Sequence, residues 1–235
     1  NNVIHDIAYL FGFREVNGNF QVNNYGNGGI GNDDVRAEAM DGGGLNNANM
    51  FTPAEGSRPR MQMYLWSTAS PYLDGDFDNG IVFHEYAHGI SNRLTGGPST
   101  AGCLGNTEQM GEGWSDYFGL ILTMETGDTG PDGRGIGTFA LDQSTNGPGI
   151  RPARYSTDLS VNAYTYGDIG SLSIPHGVGF VWASMLWEMT WGLIDVYGFD
   201  QDLYNNPNSG NAIALQLIME GMKLQPCNPG FVDGR

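Results

Sequence analysis

The sequence predicts an α+β protein: a strand-bearing first part that ends in a helix rich in metal-ligating side chains, then a mainly helical second part. Three stretches carry that expectation. Residues 79–94 read as one helix, with Gly96-Gly97-Pro98 as its stop. Residues 46–52 and 61–66 are extended segments around a turn with two prolines and a glycine, which suggests a β-hairpin. Residues 177–197 are apolar on nearly every side (Val178, Phe180, Val181, Trp182, Met185, Leu186, Trp187), so this helix should lie buried at the centre. The division falls after Gly96, giving a lobe of residues 1–96 with the edge strand and the ligand-bearing helix, and a lobe of residues 97–235.

In chain order, Val3–Phe13 carries Ile4, Ile7, Ala8, Leu10 and Phe11 at helical spacing, and Gly12 suits a stop. Residues 17–32 are dominated by Asn and Gly and read as loop, with a short extended piece at 20–22. Val35–Met40 reads as a strand that Gly42-Gly43-Gly44 breaks. Asp74, Asp76 and Asp78 alternate just before the long helix. Alternating Asp resembles the opening of a calcium loop, but the closing Glu is missing, so a turn whose last Asp or Asn caps the next helix is favoured. A second helix should run from Thr107, as its cap, to about Thr126, with Gly111 and Gly113 letting it approach a neighbour closely. Residues 127–149 are Gly/Asp-rich loop and residues 150–173 are irregular. His176 opens the apolar helix, and a last helix spans about 212–223.

Composition narrows the function. With 26 Asp+Glu against 10 Lys+Arg the net charge is −16, which argues against a basic nucleic-acid footprint. The acidity is compatible with calcium sites, a saline or exported setting, or solubility alone. No apolar run is long enough to span a membrane, and no signal peptide is visible. Cys103 and Cys227 could pair if the chain is exported, or stay as free thiols.

The chemistry is concentrated in His84-Glu85-Tyr86-Ala87-His88. Four helical steps of ~100° overshoot one turn by only ~40°, so His84 and His88 can hold one ion between them. Glu85 sits beside that ion, where it can take a proton from an activated water. Two imidazoles plus an oxygen ligand suit zinc. A catalytic zinc needs a third protein ligand, and Glu112-Gly-Trp-Ser-Asp116 is the best candidate: Glu112 as ligand, Asp116 as hydrogen-bond acceptor for the distal nitrogen of a ligating histidine.

The runs His84–Pro98 and Met110–Asp116 resemble the fungalysin family of secreted metallopeptidases, which is related to thermolysin in its metal-site architecture. Similar runs at Asn1–Gln21, Arg58–Trp66, Pro175–Trp187 and Leu224–Phe231 extend the resemblance over most of the chain. It implies a thermolysin-like fold, zinc on His84, His88 and Glu112, Glu85 as general base and acid, and Asp116 as the partner of a ligand. It also implies substrate contacts from Asn47 and Ala48, by their match to an Asn-Asn-Ala edge segment, and an oxyanion-stabilising role for His176. A tyrosine assists in such sites, and both Tyr155 and Tyr166 are candidates. His5 has no metal-site spacing and reads as structural. Family members carry a propeptide and further sequence at both ends, so this chain reads as shortened at each.

The resulting expectation is a secreted zinc endopeptidase, made as a zymogen and held by its propeptide before activation. It would act on proteins or peptides, prefer an apolar side chain just after the cleaved bond, and have Ca2+ as a possible second ion. The competing readings are a silent module with structural zinc, and an exopeptidase, for which the sequence marks no charged pocket.

Overall fold

A computed structural model describes residues 1–235 and is mixed α+β, as expected. Helix α1 (Asn2–Leu10) buries Ile4, Ile7 and Ala8, and Gly12 follows at φ 103°, a conformation that costs other residues strain. The sheet comprises β1 (Arg36–Leu45), β2 (Ala48–Phe51), β3 (Arg60–Trp66) and the short β4 (Leu73–Asp74). Central β3 pairs with β1 in parallel and with β2 in antiparallel register, Ala48 lying opposite Met63. The hairpin of residues 46–66 is therefore present, and β2 is an edge strand. β3 buries Met61, Met63, Tyr64 and Trp66.

Two boundaries depart from the sequence reading. β1 does not stop before Gly42 but runs on to Leu45, with register shifts between Glu38 and Asp41 and between Asp41 and Leu45. Glycines there serve a close approach: a Cβ on Gly44 would stand 3.0 Å from the Tyr64 ring. The second long helix, α3, spans only Gly111–Ile121, and Thr107 does not cap it. The preceding residues are held elsewhere. Cys103 is disulfide-bonded to Cys227, the Asn106 amide donates to the carbonyls of Asn228 and Pro229, and Glu108 accepts from the Phe231 backbone.

Helix α2 (Asn79–Leu94) is buried on most of its circumference, against β2 on one side and α3 on another. Asp78 caps it: Oδ1 accepts from the Ile81 N–H at 3.3 Å while Oδ2 accepts from the Ala140 N–H at 3.2 Å. Asp74 likewise accepts from Asp76 N–H at a 3-10 turn. Asp74 and Asp78 thus work as caps here. Asp78→Ala is expected to cost about 1–2 kcal/mol, since a capping bond is lost and a loop anchor with it. Denaturant unfolding with an unchanged slope is the measurement.

α4 (His176–Tyr197) crosses α3 at a glycine contact. A Cβ on Gly113 would lie 2.4 Å from the Gly179 carbonyl, and one on Gly179 would lie 2.5 Å from Glu112 Cβ. This close approach brings the start of α4, with His176, beside Glu112. α5 (Gly210–Leu224) and α6 (Phe231–Gly234) complete the helical part. One continuous core links both halves of the chain, centred on Trp114, Phe118, Phe180, Trp182 and Trp187.

Candidate metal centre

α2 places His84 and His88 one turn apart, with ring centroids 4.7 Å apart and planes nearly perpendicular. Their Nε2 atoms lie 3.1 Å from each other. α3 supplies Glu112, whose Oε2 is 3.2 Å from His84 Nε2 and whose Oε1 is 3.6 Å from His88 Nε2. The donor atoms of these three residues all fall within 4.8 Å of one another. Asp116, one turn after Glu112 on the same face, lies with Oδ1 2.7 Å from His84 Nδ1. A carboxylate at Nδ1 assigns the ring proton there and leaves the Nε2 lone pair facing His88 and Glu112. Without an ion, His84 Nε2 meets Glu112 only by taking up a second proton, and His88 Nε2 is left facing it; a cation among the three donors satisfies them all. Two imidazoles and one carboxylate, opening to a cleft, are a donor set that fits zinc in a catalytic arrangement.

Electrostatics before an ion enters follow the same geometry. Burial works against the charged form of His84, but the hydrogen bonds and charges of Asp116 and Glu112 outweigh it and hold the imidazole up at about 10. Burial, and then the His84 charge, push His88 down to about 4. Glu112 is buried, which would raise it, yet the His84 bond, the charges of His88 and His84, and Arg151 bring it down to about 2. Burial also opposes ionisation of Asp116, but Arg151 holds that carboxyl far below the usual range. Glu85 is pushed up to about 7 by burial, with His84 pulling it partway back.

The cleft above the cluster measures about 310 Å3. Asn47 and Ala48 at the start of β2 line one wall; His84, Glu85, His88 and Glu112 form the floor; Ile81, Ile136 and Ile150 supply an apolar side. His176 stands at the rim with its side chain 58 % exposed and Nε2 3.5 Å from Glu112 Oε2. The ligand, general-base, oxyanion and substrate-contact residues singled out in the sequence therefore all border one cleft, and Asp116 lies directly behind it. His5 is elsewhere, bonded to Asp6 on α1.

Arg151 was missed. Its Nε donates to Asp116 Oδ2 at 2.6 Å, and Nη2 donates to Asp116 Oδ1 at 2.9 Å and to Glu112 Oε2 at 3.3 Å. A usable signal existed: two acids buried side by side need a cation, and this chain has only 10 Lys+Arg to offer. Neither candidate tyrosine reaches the cleft. Tyr155 is fully buried and donates its hydroxyl to Asp116, while Tyr166 donates to Glu108 at 3.3 Å.

The family model for fungalysin metallopeptidases matches residues 1–235. An extracellular metalloproteinase MEP from Fusarium vanettenii is 48 % identical over 242 residues, covering 100 % of this chain and 38 % of the relative. An extracellular metalloproteinase mep from Aspergillus fumigatus is 47 % identical over 241 residues, with the same coverage of both. An extracellular metalloproteinase 2 from Trichophyton tonsurans is 45 % identical over 241 residues, again with the same coverage. The chain thus spans about two fifths of the length of these curated relatives.

Proposed function

The chain belongs to the fungalysin metallopeptidase family, and from that premise we propose that it forms the catalytic part of a secreted zinc endopeptidase that cleaves internal peptide bonds of proteins. The observation that carries this reading is the convergence of His84, His88 and Glu112 at the floor of an open cleft, with Glu85 beside them and an edge strand along one wall. The cleft is bordered by residues from both 1–96 and 97–235, and we propose that division as the functional one.

His84, His88 and Glu112 would hold the zinc, and Asp116 would keep His84 in the tautomer that presents Nε2. Zinc bound there supplies Lewis acidity, acidifying water and polarising the scissile carbonyl. Glu85 takes the water proton and returns it to the leaving amine, a task suited to a buried carboxyl that borders the cleft next to a ligand. His176, exposed at the rim, donates to the oxyanion of the tetrahedral intermediate. Asn47 and Ala48 bind an extended substrate alongside β2 by backbone hydrogen bonds, as a peptide adds to any free sheet edge. The apolar side of the cleft, Ile81 with Ile136 and Ile150, accords with a preference for an apolar side chain just after the cleaved bond.

Secretion agrees with the names of the relatives and with the Cys103–Cys227 disulfide, since such bonds persist in oxidising compartments. Control by a propeptide is part of the same proposal. Asp74 and Asp78 are engaged as caps, and Ca2+ stays a possible second ion of the same proposal.

The test is elemental analysis of the purified protein together with proteolysis of casein before chelation, after chelation and after return of zinc. One zinc per chain, loss of hydrolysis on chelation and its recovery on zinc return are expected, with peptide fragments cut internally by mass analysis. Hydrolysis that persists undiminished after complete metal removal would overturn the reading. Release of single terminal residues alone would replace it with an exopeptidase.

A further inference from the structure

Tyr155 lies outside the cleft, yet its hydroxyl ends on the residue that aims a zinc ligand. We infer that Tyr155 is a positioning residue of the metal centre: together with Arg151 it locks the Asp116 carboxylate in the orientation that holds His84. The inference rests on the metal-site reading proposed above.

Asp116 is wholly buried and receives four donors. Oδ1 takes His84 Nδ1–H at 2.7 Å and Arg151 Nη2–H at 2.9 Å. Oδ2 takes Arg151 Nε–H at 2.6 Å and the Tyr155 hydroxyl. Those four bonds use the four lone-pair sites of an ionised carboxylate. The torsion that turns a carboxylate plane is soft, so neighbouring donors and not a rotamer well decide where it points. Two of the four come from the single Arg151 guanidinium. The Tyr155 hydroxyl is the remaining donor that is independent of both the arginine and the ligand being aimed.

Tyr155 is itself triangulated. Its backbone exchanges two hydrogen bonds of 2.8 Å with Arg134. The Arg134 guanidinium in turn grips the Thr123 carbonyl at 3.0 Å, the Thr123 hydroxyl at 2.9 Å and Asp128 at 2.8 Å, just beyond the end of α3. The Tyr155 ring packs on Phe180 of α4, with centroids 5.0 Å apart. The hydroxyl is thus fixed relative to α3 and α4, the two helices that carry Glu112, Asp116 and His176. A role at the substrate oxyanion does not fit, because the residue has no exposed surface and its hydroxyl is already committed.

The experiment strips the protein of metal and measures zinc Kd by competition with a chromogenic chelator, for the parent, Tyr155→Phe, Asp116→Asn and the double variant. Tyr155→Phe keeps the ring and its packing and removes only the donor. Its Kd is expected to rise about tenfold, the lower end for partners that orient a metal ligand. In the Asp116→Asn background the same change should add less than about twofold, because the carboxylate it holds is gone. A purely structural tyrosine would instead lower the unfolding midpoint of the stripped protein, leave Kd alone, or multiply with Asp116→Asn. A Tyr155→Phe Kd within about twofold of the parent, or a tenfold effect that survives in the Asp116→Asn background, overturns the inference. If Asp116→Asn does not fold, the single comparison of Tyr155→Phe with the parent decides. A parent protein that binds no zinc overturns the site reading itself, and the inference with it.

Discussion

Glu85→Gln is expected to lower kcat for peptide hydrolysis by about three orders of magnitude, within the range that a positioned proton-transfer group contributes, while the zinc content stays at that of the parent. The two outcomes separate because the two tasks sit on different atoms. Glu85 lines the cleft but is not among the three side chains whose donor atoms converge. Glutamine fills the same space and can still form hydrogen bonds, but it cannot take up a proton. The carboxyl it replaces is buried at the cleft, where proton transfer to and from a bound substrate is shielded from bulk water. Turnover of an internally quenched peptide and elemental analysis on the same preparation are the measurements. A variant that retains a rate within about tenfold of the parent refutes the general-base assignment. Loss of zinc in this variant would mean that Glu85 is a ligand, and the division of roles would have to be redrawn.

How much of this was legible in the sequence follows from the range of the interactions involved. His84 and His88, and Glu112 and Asp116, are pairs four residues apart on single helices, so local geometry alone put each pair on one face. That α2 and α3 face each other is tertiary information, but both motifs asked for a complementary set of ligands. The hairpin was readable from the turn at 53–60. The limits of β1 and α3 were not. One depends on glycines lying against the Tyr64 ring, the other on a disulfide to a residue 124 positions away. His176, Asn47 and Ala48 were reached through family resemblance, since nothing in their immediate neighbours marks them. Arg151 sits in an irregular segment with no motif, and its partners are 35 and 39 residues earlier. Tyr155 was one of two tyrosines considered for the oxyanion, and a sequence cannot say that its hydroxyl is bonded to Asp116 behind the cleft.

The second large effect concerns stability and lies at the far end of the same helix. Arg93→Met should destabilise the metal-stripped protein by about 3–5 kcal/mol, the usual cost of leaving one partner of a buried ion pair alone. Arg93 and Asp33 are both fully buried, with Nη1 2.9 Å from Asp33 Oδ2. The same guanidinium donates to the carbonyls of Gly18 at 3.0 Å, Pro53 at 2.9 Å and Ser57 at 3.4 Å, and lies 5.0 Å from the centre of the Phe20 ring. One side chain thus ties the end of α2 to the Asn/Gly-rich stretch of residues 17–32 and to the turn between β2 and β3. Neither segment has a regular ladder of its own to replace those bonds. Methionine preserves much of the volume, so cavity formation is minor and the loss reports the stranded Asp33 and the freed carbonyls. Adding Asp33→Asn should recover part of the loss, because the uncompensated charge is then removed. Urea unfolding of the four proteins closes the cycle. A single-variant loss under about 1 kcal/mol would put this pair in the class of surface ion pairs and contradict its burial. Because Arg93 lies more than a turn beyond His88 and touches no metal donor, zinc stoichiometry at saturating metal should be unchanged wherever the variant is folded.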